Sequence, residues 1–245
     1  MNDWQIRSTM LIGENNVDKL NKATVIIAGL GGVGSWAAIS LARSGVQNFV
    51  LIDKDIIDSS NINRQAIAFS DNIGTAKVDE MDKRLKRINP FISTKLLKLN
   101  IDKENAYDIA NLEADYLIDA IDTITAKASL IKYAHRNGLP IISAMGAGNR
   151  LDASNYQVCD ISKTYNCPLA RALRKILRKA GIDEGVKVVF DPSDVKKPDS
   201  WPKYRDSNIP RKEAFPPASM IFAPAISGLL MAQEVVNDII KKTPV

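Results

Sequence analysis

Cysteine and histidine are scarce in this sequence, which has two cysteines and one histidine in 245 residues. Cys159 and Cys167 are too few for a Cys₄ zinc site, and the C-x₇-C spacing between them is not that of a metal-ligand pair. The single histidine, His135, stands close to Lys132 and Arg136, and we interpret it as a surface residue. We therefore expect neither a cysteine zinc site nor a reaction that depends on histidine.

A long hydrophobic run is also missing. The most apolar late stretch, residues 220–236, contains Pro224, Gln233 and Glu234. It is short for a membrane span of ~20 residues, and it predicts a buried helix. The first residues, MNDWQIRSTM, lack the apolar segment of a signal peptide. The sequence therefore predicts a cytoplasmic protein with no membrane contact.

The remaining composition is that of a folded globular protein. Hydrophobic residues make up 45% and charged residues 25% of the chain. The length allows one domain with a large core. The formal net charge is +5, and this mild excess permits a polyanionic partner without requiring one.

The most informative stretch begins with a β-branched apolar run at residues 24–27, which predicts a buried parallel strand. Four glycines follow, three of them at the G-x-G-x-x-G spacing, and residues 36–42 then predict a helix. The glycines are Gly29, Gly31, Gly32 and Gly34. Glycine lets the backbone turn sharply and approach a phosphate closely, and the following helix directs N–H groups towards it. The alternative is that these glycines serve only tight packing of helix on strand.

An acid and two cations indicate which nucleotide binds. A second predicted strand, residues 49–52, ends at Asp53, where a carboxylate can bind ribose hydroxyls. Arg64 offers a planar fork to phosphate oxygens, and Lys77 offers a point charge. Because a triphosphate carries more charge than a dinucleotide, we expect ATP rather than a nicotinamide cofactor.

Strands and helices continue to alternate as far as Gly148. The further predicted strands are 94–99, 115–121, 139–143, 156–161 and 186–190, and the further helices are 75–89, 103–111, 123–137, 168–180 and 219–240. This order predicts an α/β fold: a Rossmann-like, mostly parallel sheet with helices on both faces, and an antiparallel extension in the C-terminal half. We expect one domain over 1–245, with a nucleotide-binding half at 1–148 and a C-terminal half at 149–245.

Asp122 follows the predicted strand 115–121. The carboxyl end of a parallel strand opens into the crevice where ligands of such sheets bind, so Asp122 could hold Mg²⁺ between phosphates. The alternative is that this side chain caps the helix at 123–137.

Two predicted helices have a basic face. In helix 75–89 the cations Lys83, Arg84, Lys86 and Arg87 lie opposite the apolar face, and we interpret them as a solvated face, with nucleic-acid contact as the alternative. Helix 168–180 has no acid of its own. An RNA-backbone contact is therefore a candidate role for its outer cations, and a solvated face is the alternative. The candidate tRNA-binding residues are Arg171, Arg174, Lys175 and Arg178.

The segment of about 191–217 is rich in proline, lysine and serine, and we expect a mobile loop there. Trp201 and Tyr204 are its aromatic residues. They could stack on unpaired bases. Alternatively, Trp201 packs on the core.

Several motifs together resemble the ThiF/MoeB/HesA group of the ubiquitin-activating-like superfamily, whose members adenylate carboxylates. They are GxGGVGS, the aspartate after the second strand, SNxNRQ and GxxK. The resemblance implies a homodimer that uses ATP and Mg²⁺, in which Arg64, Lys77, Asp122 and Arg7 are catalytic. It also implies that Asn61 and Gln65 hold the triphosphate loop. Arg7 stands where family members have an arginine that reaches the partner's ATP; a surface arginine is the alternative.

The C-terminal half resembles one branch of this family, whose members dehydrate threonylcarbamoyladenosine in tRNA. The matching stretches are CDISKT, PLARALRKILRK and FPPASMIFAPAISGLLM. The resemblance implies ATP-dependent cyclisation through an acyl-adenylate, with tRNA carrying threonylcarbamoyladenosine as the partner and a sulfur-relay protein as a further one to consider. The alternative is adenylation of a ubiquitin-like or sulfur-carrier protein. Cys167 stands where the branch more often has aspartate, which leaves a nucleophilic thiol open, but the two C-x-x-C pairs typical of sulfur-carrier activators are missing.

Overall fold

Residues 3–196 and 217–241 are described by the computed structural model, and their strands form one seven-stranded sheet. The strands are β1 (Thr24–Ala28), β2 (Asn48–Ile52), β3 (Ser93–Leu97), β4 (Tyr116–Asp119), β5 (Ile141–Ala144), β6 (Gln157–Asp160) and β7 (Lys187–Phe190). Their order across the sheet is β3-β2-β1-β4-β5-β7-β6. Strand β6 runs antiparallel to β7, and the other neighbouring strands pair in parallel.

Helices connect the strands and cover both faces of the sheet. They are α1 (Ile6–Ile12), α2 (Glu14–Lys22), α3 (Gly34–Ser44), α4 (Lys77–Ile88), α5 (Ala106–Ala110), α6 (Ile124–Asn137), α7 (Pro168–Arg178) and α8 (Phe222–Lys241). Short 3₁₀ turns lie at Asp3–Gln5, Ser59–Asn61 and Ile161–Lys163. Among the described residues, no helix combines the length and apolarity needed to cross a membrane.

The core has two layers, one on each face of the sheet. Alternate residues of β1 point to opposite layers, as the pleat of a strand requires: Val25 and Ile27 join α3, α4 and α8, whereas Ile26 and Ala28 join α5, α6 and α7. Apolar burial on both faces explains why β1 reads as a continuous hydrophobic run.

The predicted fold class is confirmed, antiparallel extension included. One feature of the extension does not follow from sequence order, because β7 lies between β5 and β6. Strand β7 pairs in parallel with β5, and β6 then adds to the outer edge of the sheet. Helix α1 ends at Ile12, because the next residue, Gly13, has a φ of 82°, and α2 then begins at Glu14.

The predicted loop at about 191–217 lies largely outside the described residues, together with Trp201 and Tyr204. Its two described ends are held at one point by Asn149. The Asn149 carbonyl oxygen accepts a hydrogen bond from the Lys196 N–H (2.9 Å). The Asn149 N–H donates to the Ala218 carbonyl oxygen (2.6 Å). The Asn149 side chain accepts a further bond from the Ala218 N–H (2.8 Å). Both ends of the segment therefore meet at the turn after β5.

Candidate active site

A cleft of about 590 Å³ opens at the carboxyl ends of β1, β2, β4 and β5. Its walls come from the glycine turn between β1 and α3, the residues after β2, β4 and β5, and the first residues of α4, α7 and α8. Open α/β sheets bind ligands at this edge, where the crossover helices lie on opposite faces. The cleft is therefore the candidate ligand site.

The glycines of the turn have two different roles. A Cβ on Gly34 would lie 1.8 Å from the Gly29 carbonyl oxygen, and one on Gly32 would lie 3.1 Å from Pro224. Gly29 has a φ of 91°, a conformation that side chains disfavour. A Cβ on Gly31 would meet no atom within 4 Å, and Gly31 lines the cleft. Close packing thus accounts for Gly32 and Gly34, the backbone conformation accounts for Gly29, and Gly31 presents bare backbone to the cleft.

Asp53 joins the glycine turn to the end of β2. One carboxylate oxygen accepts a hydrogen bond from the Leu30 N–H (2.6 Å), and the other accepts from the Asp55 N–H (2.8 Å). Asp53 also lines the cleft. The ribose contact stays a prediction, and the structure adds that this carboxylate holds the glycine turn in place.

Lys77 begins α4 and is buried with its ammonium group on Asp55. The Lys77 Nζ lies 2.9 Å from Asp55 Oδ2, and the Lys77 N–H donates to the Asp55 carbonyl oxygen (3.0 Å). Both residues line the cleft. No role was predicted for Asp55, although its position two residues after Asp53 is a usable signal, since it is the second acid after a buried strand.

Arg64 lines the cleft and is hydrogen-bonded to uncharged oxygens. Its Nη1 donates to the Ser60 carbonyl oxygen (2.7 Å) and to Asn63 Oδ1 (2.9 Å). Partial burial lowers the pKa of the guanidinium from its ordinary value, because a low-dielectric environment disfavours the charged form. The ion pairs found among the described residues do not include Arg64, so its charge is available to an anion in the cleft.

Gln65 and Asn61 occupy different positions in the same loop. Gln65 lines the cleft, and its buried Oε1 has no hydrogen-bond partner within the described part of the chain. Buried polar atoms are normally paired, so this acceptor is a candidate ligand contact. Asn61 does not line the cleft. Its Oδ1 accepts from the Asp58 N–H (3.2 Å) and closes the 3₁₀ turn, so it shapes the loop from behind.

Asp122 is exposed on the cleft wall after β4. The N-cap of α6 is Thr123, so the alternative in which Asp122 caps the helix is wrong. The described residues contain no cluster of three or more histidine, cysteine or acidic side chains that could hold a metal ion. Mg²⁺ usually takes one or two protein carboxylates and completes its coordination with phosphate oxygens and water. Asp122 fits that kind of site.

A fully buried polar triad lies under the turn that carries Asp122. The Lys127 Nζ of α6 is 2.8 Å from Asp119 Oδ2 at the end of β4, and both side chains are 0% exposed. Ser143 of β5 donates to the same Asp119 oxygen (2.7 Å), and the Lys127 Nζ donates to the Ser143 hydroxyl (3.1 Å). This triad was not predicted from the sequence. Its only sequence signal was an acid within an apolar strand and a lysine among the apolar residues of the next helix.

The other predicted site residues lie outside the cleft. Arg7 is exposed on α1, next to the exposed apolar side chains of Met10 and Leu11. Cys167 is 4% exposed and precedes α7 as its N-cap residue. The adjoining Leu169 does line the cleft, so α7 begins at the site.

The four candidate tRNA-binding residues of α7 are in different environments. Arg171 and Lys175 are exposed, without an ion pair in the part of the chain that is described. Arg174 is half-buried and donates from Nη1 to both oxygens of Thr164, at 2.9 Å for the carbonyl oxygen. Arg178 forms an exposed ion pair with Asp183 (3.3 Å). The RNA contact stays a prediction for all four residues, and the structure adds that Arg174 is hydrogen-bonded within the protein.

The sheet, the glycine turn and the charged cleft define a nucleotide-binding α/β protein of the adenylating type. The chain belongs to the ThiF family, whose sequence pattern it matches over residues 4–245. It is 40% identical to the tRNA threonylcarbamoyladenosine dehydratase of Bacillus subtilis, in an alignment that covers 96% of this chain and 94% of that protein.

Solved structures agree with this relationship. The Escherichia coli tRNA N6-threonylcarbamoyladenosine dehydratase in complex with ATP superposes with a TM-score of 0.86 at 31% identity, covering 98% of this chain and 96% of the other. Its complex with AMP gives the same values. The adenylyltransferase and sulfurtransferase UBA4 of Vanderwaltozyma polyspora is more distant, with 30% identity over 61% of this chain and 34% of its own length.

Proposed function

We propose that the protein is an ATP-dependent tRNA threonylcarbamoyladenosine dehydratase, which closes the threonylcarbamoyl side chain into a ring. The observation that carries the proposal is the near end-to-end likeness to dehydratases of this name, including one solved with ATP. The cleft supports it, since its cations and acids lie round a bare glycine turn. Because tRNA is found in the cytoplasm, we propose that the protein acts in this compartment.

The chemistry needs a better leaving group than a carboxylate oxygen. Attack of the substrate carboxylate on the α-phosphate of ATP releases pyrophosphate and gives an acyl-adenylate. A nucleophilic atom of the threonylcarbamoyl side chain then attacks the carbonyl carbon of the acyl-adenylate, which closes the ring and releases AMP. Both steps depend on holding reacting groups together and neutralising charge, and neither needs a protein nucleophile. This suits a cleft lined by no histidine and no cysteine among the described residues.

Six of the residues that line the cleft have a proposed role. Arg64 and Lys77 bind phosphate oxygens, the backbone at Gly31 approaches them, and Asp53 binds the ribose. Gln65, with its unpaired buried oxygen, contacts the ligand directly. Asp122 holds Mg²⁺, which would neutralise phosphate charge when bound.

The Asp55–Lys77 pair suggests how the Lys77 ammonium group is held in position to bind a phosphate. The buried ammonium group of Lys77 lies on the half-exposed Asp55 carboxylate. A phosphate can share this ammonium group, because a lysine carries three donors. The buried triad of Asp119, Lys127 and Ser143 then positions the turn that carries Asp122, by joining β4, α6 and β5 directly beneath it.

The same proposal includes a homodimer. Exposed apolar side chains of α1, Met10 at 82% and Leu11 at 85%, suit a subunit interface. Arg7 on this helix would then act on the partner's ATP. We place tRNA along the outer face of α7, and a sulfur-relay protein is a further proposed partner.

The test is to incubate the purified protein with ATP, Mg²⁺ and tRNA carrying threonylcarbamoyladenosine, and to weigh the modified nucleoside. The expected product has lost one water, and AMP accumulates in equal amount. Unmodified tRNA is the control, for which no AMP is expected. A nucleoside of unchanged mass and no AMP would refute the function.

Adenylation of a ubiquitin-like or sulfur-carrier protein is less well supported. UBA4 matches only about three fifths of this chain, and Cys167 is buried rather than open to a protein C-terminus. Cys167→Ser should therefore leave AMP formation unchanged. Loss of AMP formation by a variant that unfolds at the same urea concentration as the wild type would favour a thioester route instead.

A further inference from the structure

Tyr165 is an exposed aromatic residue just before α7. It is 55% exposed, and its ring packs edge-on against Phe190, with centroids 5.8 Å apart and an interplanar angle of 79°. Phe190 ends β7 and is buried. An edge-on contact holds a ring without covering both of its faces, so Tyr165 is supported by the core and open to solvent.

The backbone around Tyr165 is held as firmly as its ring. The preceding residue, Thr164, accepts hydrogen bonds from the Arg174 guanidinium, and its hydroxyl donates to the Ile161 carbonyl oxygen (2.7 Å). The following residue, Asn166, has a φ of 49°, which turns the chain into α7. The guanidinium group of Arg174 therefore stabilises the segment that carries Tyr165. This preorganisation lowers the entropy lost when a ligand binds to the ring.

Tyr165 precedes α7, a helix whose first turn lines the cleft and whose outer face carries exposed cations. Four residues after it, Leu169 lines the cleft. Arg171 and Lys175 are one helical turn apart, so they share a face, and both are exposed. Lys163, two residues before Tyr165, is exposed as well. An exposed aromatic ring next to a helix that carries exposed cations and no acid matches an unpaired nucleic-acid strand, because its bases can stack on the ring and its phosphates can contact the cations.

We propose that Tyr165 stacks on an unpaired RNA base next to the nucleotide that enters the cleft, while Arg171 and Lys175 contact the phosphates. The proposal rests on the proposed function, because it takes a single-stranded region of tRNA as the ligand. It adds a base contact to a surface otherwise defined by charge alone. Stacking tolerates any base, so Tyr165 would set affinity for unpaired RNA and would not select a sequence.

The experiment compares the whole protein carrying Tyr165→Leu, Tyr165→Phe or Arg171→Ala with the wild type. Leucine keeps apolar bulk against Phe190 but removes the ring face, and phenylalanine keeps the ring. Binding is measured at several salt concentrations for two RNAs of equal length: a stem–loop with an unpaired loop and a fully paired duplex. Urea unfolding and ATP binding are measured alongside.

Tyr165→Leu should weaken stem–loop binding about tenfold, leave duplex binding unchanged and keep the wild-type salt dependence, because stacking releases no counterions. Tyr165→Phe should bind like the wild type. Arg171→Ala should weaken both RNAs and reduce the salt slope by about one. Equal stem–loop affinity for Tyr165→Leu and wild type would overturn the proposal, as would an equal loss for both RNAs. A wild type that binds the stem–loop through Tyr165 but forms no AMP would refute only the proposed function.

Discussion

Two basic helices, α4 and α7, start at the same cleft and differ in where their positive charge goes. In α4 the cations lie among acids: Arg84 pairs with Glu80 and Lys86 with Asp82. Arg84 also lies 3.8 Å from the centre of the Phe69 ring. Helix α7 contains four cations and no acid.

The two helices therefore differ mainly in local charge balance, and we expect this balance to decide which face attracts a polyanion. In α4 the first residue, Lys77, supplies charge to the cleft, and the remaining cations are partly neutralised by acids of the same helix. In α7 the first residues are apolar, and Arg171 and Lys175 remain exposed on the outer face. Helix α6 also begins near the cleft, and its Lys127 is wholly buried and paired with Asp119. The three helices thus differ in how far their cations are buried and paired. Burial and pairing should therefore determine what each cation contributes.

The largest expected effect is at Lys127. Lys127→Met leaves Asp119 buried without its cation, and breaking a buried pair in this way typically costs about 3–5 kcal/mol. Urea unfolding should show this loss in the free energy of unfolding. Lys127→Arg, which keeps the charge, should recover a large part of it. If Lys127→Met is as stable as the wild type, the triad does not hold β4, α6 and β5 together.

The next effect is at the cleft cations. Lys77→Ala and Arg64→Ala should each lower the rate of AMP formation about 100-fold, since a preorganised charge at a developing anion contributes ~3 kcal/mol. The free energy of unfolding should change much less. Lys98→Ala is the matched control, because Lys98 is an exposed lysine paired with Asp79 of α4. Near-normal turnover in Arg64→Ala would remove Arg64 from the phosphate site.

A smaller effect separates Arg174 from its neighbours on α7. Arg174→Ala removes charge-assisted hydrogen bonds to Thr164 and should cost about 2 kcal/mol of stability. Arg171→Ala should leave the free energy of unfolding within about 0.5 kcal/mol of the wild type, as an exposed substitution does. Urea unfolding of the two variants side by side decides this, and equal stabilities would mean that Arg174 does not hold the segment before α7.

The smallest effects concern the two exposed faces. Arg171→Glu with Lys175→Glu should weaken tRNA binding at least tenfold and flatten its salt dependence, because phosphate contacts are lost. The same double reversal at Lys83 and Arg87 on α4 changes the net charge equally and should alter binding less than about twofold. Binding titrations over a range of salt concentrations test both. Similar losses for the two variants would mean that overall charge, not the face of α7, attracts the RNA.

Pattern and spacing were sufficient to predict much of this molecule. The run at residues 24–27 and its glycines lie where expected, because a doubly buried strand needs continuous apolar residues and a tight turn needs glycine. Asp53, Lys77 and Asp122 come together in one cleft because the carboxyl ends of parallel strands share one edge of the sheet.

Other features could not be predicted, because they depend on residues far apart in sequence. The Lys127–Ser143 contact joins residues on different elements, and no local pattern indicates it. Arg174 and Arg171 look alike in the sequence of α7, and only the Thr164 oxygens distinguish them. Tyr165 stands out only once its exposure and its contact with Phe190 are known.

The sequence by itself determined the fold class, the position of the nucleotide turn and the identity of the main cleft residues, since these follow from periodicity, turn chemistry and strand order. Only the tertiary structure decided which charges are paired and which remain free, where β7 inserts in the sheet and which aromatic ring faces solvent. The physical reason is that desolvation and pairing depend on distances in space, and a linear pattern does not contain them.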